Sequence, residues 1–285
     1  MAGDPSMAAG SGTAPVTAPE LQPRPAPAEA PGPTPGPAPG LAPERLRAAG
    51  PPQATAPAAP PMRLLLFDVD GTLVDCGGQP LGPFAAALIE VFGTAGDIDG
   101  YNFAGCTDPQ AVFDLMTGAG FPLEEVRERL PRMRDLYLPR LESTLDRGRM
   151  RLLPGVEEAL DRLAARPEVE LALLTGNWEA AARTKLARFD LNRFFAWGAF
   201  GGEGIQRAEL PPIALARAAQ RRGRPVPATE ALIIGDSIRD VACARAHGIP
   251  VLAVATGKTS AEALAAAGAD WVVPELAAAG ELLHG

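Results

Sequence analysis

The chain has 285 residues, of which 47% are hydrophobic, and it carries a formal net charge of −8. This length allows one large domain or two modest ones with a buried core. The negative charge argues against general nucleic-acid binding, because phosphate backbones favour clustered lysine and arginine. The sequence has no apolar run of about 18 residues, so we expect no membrane span. Its three cysteines lack paired metal-type spacing and point to a reducing compartment, with the cytoplasm as the default.

Residues 1–61 have the composition of an unfolded segment. They hold 17 of the 31 prolines, interleaved with alanine and glycine and without a hydrophobic period. We therefore expect a disordered N-terminal extension, which we favour over a P-x-x-P ligand, and no secretory signal. Met62 stands directly before the first predicted strand and is a candidate for the true start. Any native peptide from within residues 1–61 would exclude that start.

Two aspartates follow the first predicted strand. Residues 62–67 form a nearly unbroken apolar run, typical of a strand buried on both faces of a parallel sheet, and Asp68 and Asp70 come next. Ligands bind at the carboxyl ends of parallel strands, and alternate residues point to one side, so both carboxylates are expected to face one small volume. The alternative is a plain Asp-Gly turn in which the acids cap backbone amides.

Two further strand ends carry polar clusters. The apolar run 231–234 precedes Asp236 and Asp240, which share a helix face, so that Asp240 can stand behind Asp236. A third run, 169–174, is followed by Thr175, Gly176 and Asn177. Three such clusters at predicted strand ends favour an active site over an isolated turn.

The rest of the chain predicts an α/β fold with a helical insertion. Helical spacing at 84–92, 109–116 and 123–145 indicates an inserted cap. From residue 154 onward, strands alternate with helices, as in βα units around a parallel sheet. The predicted strands there are 169–174, 231–235 and 250–254, and the predicted helices are 155–165, 178–188, 211–221 and 237–246. The predicted domains are the extension 1–61, a core of 62–81 and 150–285, and a cap of 82–149.

The polar clusters resemble motifs one, two and four of the haloacid dehalogenase-like (HAD) hydrolase superfamily. The matching segments are D-V-D-G-T at 68–72, L-L-T-G-N at 173–177 and G-D-S-I-R-D at 235–240. The resemblance runs from about Met62 to the C-terminus and is strongest to the phosphoglycolate phosphatase-like branch with a helical C1-type cap. It implies a Rossmann-like core and a phosphatase that acts on a small phosphorylated molecule.

The resemblance also implies residue roles. Asp68 would attack phosphorus to form an aspartyl phosphate, and Asp70 would act as general acid and then as general base. Like charges at ~5 Å repel by about 3 kcal/mol at an effective dielectric near 20, so converging carboxylates and a phosphate need a cation. An all-oxygen set favours Mg²⁺. The family's ligands correspond to Asp68, the backbone carbonyl of Asp70 and Asp236, with Asp240 behind them or acting through a water.

The phosphate itself would be held by other residues. Thr175 and the backbone amide of Gly176 would bind the non-transferring oxygens at a helix N-terminus, and Asn177 is expected to cap that helix. The chain departs from the pattern at the third motif, where a lysine is usual. Arg207, in Q-R-A-E-L-P-P, occupies the matching place and can bind phosphate bidentately. Lys185 is the alternative, but a solvated helix face is the more expected position for it.

The segment A-G-C-T-D-P at 104–109 resembles the G-x-T-D loop of phosphoglycolate phosphatase-like members. Thr107 and Asp108 could select the substrate there, and Thr-Asp-Pro is equally an ordinary helix start. Two functions compete with a phosphatase: a phosphomutase of β-phosphoglucomutase type, and a non-catalytic binding protein that uses the proline-rich extension. The sequence leaves the oligomeric state open.

Overall fold

The computed structural model describes residues 63–280 and Leu283. The predictions for residues 1–61 and for Met62 as the start lie outside these residues. Within them the strands are β1 (Arg63–Phe67), β2 (Val74–Asp75), β3 (Arg151–Leu152), β4 (Val169–Thr175), β5 (Gly198–Phe200), β6 (Ala231–Gly235), β7 (Val251–Val254) and β8 (Trp271–Val273). The α-helices are α1 (Leu81–Phe92), α2 (Asp108–Gly118), α3 (Leu123–Thr144), α4 (Val156–Ala164), α5 (Glu179–Ala187), α6 (Leu210–Arg222), α7 (Ile238–Ala246) and α8 (Ala261–Ala266).

A six-stranded parallel sheet lies at the centre, in the order β5-β4-β1-β6-β7-β8. Its inner strands are apolar and buried because helices cover both faces, as the sequence pattern requires. Phe67 at the end of β1 pairs with Leu173 of β4 and Ile234 of β6. The residues that follow β1, β4 and β6 therefore meet at one edge of the sheet. This confirms the predicted α/β fold class with a parallel, Rossmann-like sheet.

The predicted elements agree with the structure to within about three residues at each end. Five short elements were not predicted: β2, β3, β5, β8 and α8. Strands β2 and β3 have two residues each, and β5 and β8 have three residues each and lie at the edges of the six-stranded sheet, so all four offer too short an apolar run to stand out. The helix α8 has six residues and buries only Leu264, which leaves little periodicity in its sequence.

Helices α1, α2 and α3 lie between β2 and β3 in the chain and pack on one another. Strands β2 and β3 pair in antiparallel fashion, Val74 with Leu152, and so join the two connections to this insertion. One face of α3 is buried, and its Tyr137 meets Phe84 of α1 edge to face at 5.1 Å between ring centres. The helical insertion is as expected, and its proposed bounds at 82 and 149 stay predictions.

No helix of the described range combines the length and the apolar character that a membrane crossing needs. The longest, α3, carries charged residues along its length and is amphipathic, with Met133 and Leu141 on its buried side.

Candidate active site

Three buried carboxylates converge at the edge of the sheet. Asp68 follows β1, Asp236 follows β6, and Asp240 lies in the first turn of α7. One oxygen from each lies within 4.8 Å of the others. All three side chains are almost fully buried. The sequence expectation that Asp240 can stand behind Asp236 is met, because the helix brings Asp240 back toward β6.

Arg207 is the cation of this cluster. It lies in a short turn before α6, and its Nη2 donates to the carbonyl oxygen of Leu174 at 3.1 Å and to Asp240 Oδ1. The same nitrogen is 3.3 Å from Asp68 Oδ1. The guanidinium is buried, and the carboxylates of Asp240 and Asp68 raise its pKa against the opposing effect of burial. Arg207 therefore stays charged between two of the three carboxylates.

Asp240 uses both oxygens within the protein. While Oδ1 accepts from Arg207, Oδ2 accepts from the backbone N–H of Ser237 at 3.0 Å and from its hydroxyl at 2.6 Å. Ser237 in turn caps α7. These bonds hold Asp240 in place behind the cluster and leave Asp68 and Asp236 with the freer oxygens.

Asp236 lies in a slot lined by backbone. A Cβ atom at Gly71, whose φ is +82°, would clash with the Asp236 carboxylate, and so would one at Gly257. Only glycine allows this approach. The Thr72 hydroxyl donates to Asp236 Oδ1 at 3.0 Å, and the Thr256 hydroxyl donates to the carbonyl of Gly71 at 2.6 Å, which fixes the turn.

The cluster holds more negative charge than its one guanidinium offsets. Burial, together with Asp240 and Asp68, raises the pKa of Asp236 to about 8. Burial also raises the pKa of Asp68, to about 6, although Arg207 opposes it. A compact all-oxygen set with excess negative charge fits a hard divalent cation. Asp68, Asp236 and Asp240 are the residues that could hold one.

A second ion pair lies beside the cluster. Lys185 of α5 is buried, and its Nζ donates to Asp70 Oδ2 and to Asn177 Oδ1, each at 2.6 Å. The expectation of a solvated helix face for Lys185 is wrong, because α5 turns this position into the site. Burial raises the pKa of Asp70, but Lys185 and Asn177 outweigh it and bring that pKa below its usual value. The two candidates for the basic role thus occupy different places, Arg207 beside Asp68 and Lys185 beside Asp70.

Asn177 does not cap α5 as expected. Its Nδ2 donates to Asp70 Oδ2 and to the Thr175 hydroxyl oxygen, both at 2.8 Å. The N-cap residue of α5 is Trp178, whose side chain makes no capping bond, and its backbone N–H donates to Asp108 Oδ2 of the insertion at 2.8 Å. The helix that follows β4 therefore begins against a carboxylate of α2.

The segment before α2 lies close against the core. Side chains at Gly176 and Gly105 would clash with the Cys106 carbonyl and with the Ser237 hydroxyl, respectively. Thr107 caps α2 by accepting from the N–H of Gln110 at 3.1 Å, and its hydroxyl donates to the carbonyl of Ile205. These bonds match the helix-start interpretation of Thr107.

A cavity of about 510 Å³ lies between this insertion and the edge of the sheet. It is lined by ten of the residues to which the sequence assigned a role: Asp68, Asp70, Thr107, Asp108, Thr175, Gly176, Asn177, Lys185, Arg207 and Asp236. Asp240 lies behind this wall. The cap side adds aromatic and apolar groups, among them Phe84, Ile98, Tyr101, Phe103 and Tyr137.

Sequence reasoning missed several residues of this cavity, including Tyr137 and the Thr256–Gly257–Lys258 turn after β7. One signal was available. The chain has two lysines against 24 arginines, and both of them, Lys185 and Lys258, line the cavity. Tyr137 carried no signal, because a tyrosine at helical spacing reads as ordinary core.

Comparison with known proteins agrees with this geometry. The sequence model of haloacid dehalogenase-like hydrolases matches residues 65–245. A phosphoglycolate phosphatase from Pseudomonas savastanoi pv. phaseolicola is 30% identical over 224 residues, which cover 75% of this chain and 77% of the relative. A plasmid-encoded phosphoglycolate phosphatase from Cupriavidus necator is 31% identical over 228 residues, covering 78% and 94%.

Solved structures share the fold. A crystal structure described as a predicted phosphatase from Clostridium acetobutylicum has a TM-score of 0.59 at 22% identity and covers 79% of this chain and 98% of its own. The segment matched by the family's sequence model, residues 65–245, begins within β1 and includes β4 and β6, together with the carboxylates and cations that follow these strands. The chain belongs to the haloacid dehalogenase-like hydrolase family, as the three motifs indicated.

Proposed function

We propose that the protein is a Mg²⁺-dependent phosphatase that hydrolyses a small organic phosphate monoester through an aspartyl phosphate on Asp68. One observation carries the proposal: two carboxylates separated by one residue face the same cavity with different cation partners. Asp68 lies beside Arg207, and Asp70 is bonded to Lys185. The curated relatives named phosphoglycolate phosphatase support the reaction class.

In the first step, a carboxylate oxygen of Asp68 attacks phosphorus while the bond from phosphorus to the ester oxygen breaks. Asp70 donates a proton to that departing oxygen. Arg207 stabilises the negative charge that gathers on the phosphoryl group, and the Thr175 hydroxyl and the Gly176 amide bind its other oxygens. Each of these residues borders the cavity.

In the second step, water attacks the aspartyl phosphate and Asp70 takes a proton from that water. Lys185 and Asn177 lower the pKa of Asp70, which makes its carboxyl the stronger acid that the first step uses, and the proton taken from water restores that acid for the next turnover. Mg²⁺ at Asp68, Asp236 and the backbone carbonyl of Asp70 would neutralise the crowded negative charge, with Asp240 supporting the ligands from behind. The release of phosphate regenerates the Asp68 carboxylate.

The three cysteines of the chain are free thiols, two buried and one half-buried. Free thiols suit a reducing compartment, which supports the proposal of a cytoplasmic enzyme. The net charge of −8 argues against nucleic acid as a partner, and the relatives named phosphoglycolate phosphatase support a small phosphorylated molecule.

The test is hydrolysis of a generic aryl phosphate over a Mg²⁺ titration. We expect turnover that rises with Mg²⁺, stops with chelator and falls at least ~10⁴-fold in Asp68→Asn, because the nucleophile is lost. Rapid acid quench followed by mass spectrometry should find a phosphoryl adduct on the peptide that contains residue 68. Equal activity in wild type and Asp68→Asn would contradict the mechanism, and no turnover in either would favour the binding-protein alternative.

The phosphomutase alternative is separated by its product. With a sugar phosphate as substrate, a phosphatase releases one inorganic phosphate for each ester consumed. A phosphomutase instead yields an isomeric sugar phosphate and little free phosphate. Quantifying both products in one reaction distinguishes the two activities.

A further inference from the structure

We propose that Asp108 and Tyr137 form a leaving-group subsite that selects an alcohol bearing a hydrogen-bond donor, a hydroxyl or an ammonium, and disfavours one bearing a carboxylate. The inference rests on the proposed phosphatase function and narrows its substrate class. It separates this chain from the reaction named for its relatives, because the alcohol released from phosphoglycolate carries a carboxylate.

The subsite lies on the leaving-group side of the cavity. Asp108 Oδ2 accepts from the N–H of Trp178, and the ring of Tyr137 lies 5.8 Å from the ring of Trp178. The neighbouring residue, Asn177, donates to Asp70 Oδ2 at 2.8 Å. Asp70 is the residue that would protonate the departing oxygen, so the alcohol portion of the substrate must extend from its neighbourhood.

Tyr137 has an unused hydroxyl. The side chain is 1% exposed and borders the cavity, and its hydroxyl has no hydrogen-bond partner among the described residues. The ring is fixed edge to face against Phe84 at 5.1 Å and tilted against Trp178 at 5.8 Å. A rigidly held hydroxyl at a cavity wall that makes no bond to the described residues is available to a ligand in that cavity.

Asp108 has an unused oxygen. Its Oδ2 accepts from the N–H of Trp178, whereas Oδ1 has no partner in the described part of the chain. The side chain is partly exposed and borders the cavity. Burial raises its pKa to about 6, against the lowering effect of Lys185, so the carboxyl is still ionised at neutral pH. An ionised oxygen of this kind requires a donor from the ligand.

The cap wall brings no positive charge to meet an anionic group. Among the described residues of the insertion that line the cavity, the charged side chains are Asp99 and Asp108, and most of the others are aromatic or apolar. The Lys185 ammonium is bonded to Asp70 and Asn177. Lys258, in the turn after β7, is exposed, and Arg151 of β3, which also lines the cavity, is exposed and paired with Asp75. A carboxylate on the leaving group would therefore face Asp108 without a nearby compensating charge from the cap.

The experiment compares esters of equal length in the Mg²⁺-loaded enzyme: 2-hydroxyethyl phosphate, 2-aminoethyl phosphate, ethyl phosphate and 2-phosphoglycolate. They differ only in the terminal group. We expect kcat/KM for the hydroxyl and amino esters to exceed that for phosphoglycolate by at least ~10-fold, with ethyl phosphate between them. This ranking needs no variant, so it stands even where a substitution impairs folding.

Two variants test whether Asp108 and Tyr137 cause this order of kcat/KM values. Asp108→Asn should raise phosphoglycolate turnover relative to the other esters by about 10-fold and remove any advantage of the amino over the hydroxyl ester. Tyr137→Phe should lower the ratio of kcat/KM for the hydroxyl ester to kcat/KM for ethyl phosphate toward one. Asp135→Asn, an exposed carboxylate of α3 that pairs with Arg134, is the matched control and should alter none of the ratios.

The outcomes distinguish failure of the proposed subsite from failure of the proposed phosphatase function. Preference of the wild type for phosphoglycolate, or an Asp108→Asn variant that lowers all four esters equally, overturns the subsite and leaves the phosphatase intact. Failure to hydrolyse any of the four esters, and an aryl phosphate as well, overturns both proposals.

Discussion

The core wall and the cap wall of the cavity treat their polar groups differently. On the core wall, Arg207 lies between Asp68 and Asp240, and Lys185 is bonded to Asp70. On the cap wall, Tyr137 and one oxygen of Asp108 face the cavity without protein partners among the described residues. Groups that carry out the same steps on every substrate must be held in fixed geometry by the protein. Groups that determine which substrate binds keep hydrogen-bonding atoms that no protein group occupies and that the substrate can use.

The largest effect should come from the core wall. Arg207→Ala removes the cation shared by Asp68 and Asp240, and we expect kcat to fall by about 10³-fold. Loss of one partner from a buried ion pair also costs roughly 3–5 kcal/mol of stability. Arg207→Lys keeps the charge without the planar fork and should retain the fold with a smaller loss of kcat. Steady-state kinetics and thermal denaturation measure the two effects separately.

Lys185→Met tests the other cation of the same wall. It removes the partner of Asp70 but leaves the Asp68–Arg207–Asp240 cluster intact, so we expect a loss of about 10²-fold in kcat, smaller than for Arg207→Ala. A larger loss in Lys185→Met than in Arg207→Ala would assign the main basic role to Lys185. Because Lys185 is buried, the apolar replacement is also preferable to a shorter one that would leave a void.

The core wall was largely predictable, because its groups stand next to apolar strands in the sequence. Asp68 and Asp236 directly follow β1 and β6, and the carboxyl ends of neighbouring strands must meet. The cap wall was not predictable in this way. The position of Tyr137 on the cap wall depends on how α3 packs on α1. Lys185 is the exception on the core wall, because its burial depends on which side of α5 faces the sheet. Neither rotation can be read from the spacing of apolar residues alone.

The junction between the walls should show an intermediate effect. Gly105→Ala places a methyl group against the Ser237 hydroxyl at a residue whose φ is +65°, and so pushes the segment before α2 away from the core. We expect KM to rise and kcat to fall by roughly 10-fold in total. Gly120→Ala is the matched control, since φ there is +93° but nothing lies within 4 Å of the added atom. Both variants carry the backbone strain, so equal kinetics would contradict the role of this contact.

The smallest effect should be a pH-dependent change in stability from the cap wall. Because the pKa of Asp108 is raised to about 6 by burial, with Lys185 and Asp70 as its charged neighbours, the folded state binds this proton more tightly than the unfolded chain does. The stabilising contribution is present below about pH 4 and is lost as the pH rises through 6. The Asp108→Asn variant has no carboxyl at this position, so it does not lose stability over this pH range. From pH 4 to pH 7, its free energy of unfolding should therefore rise relative to that of wild type by at most ~3 kcal/mol, which thermal denaturation measures. A difference in stability between variant and wild type that does not change with pH would contradict this prediction.

The placement of the two lysines has a practical consequence. Reagents that target primary amines normally modify a protein at scattered surface positions. In this chain the lysine targets are confined to the cavity, with Lys258 exposed at its edge and Lys185 buried within it. Of the two lysines, a fluorescent active ester should therefore modify Lys258 and spare Lys185, so that the label on Lys258 reports on the cavity entrance. Aldehyde fixation or coupling to a solid support through Lys258 would obstruct the same entrance.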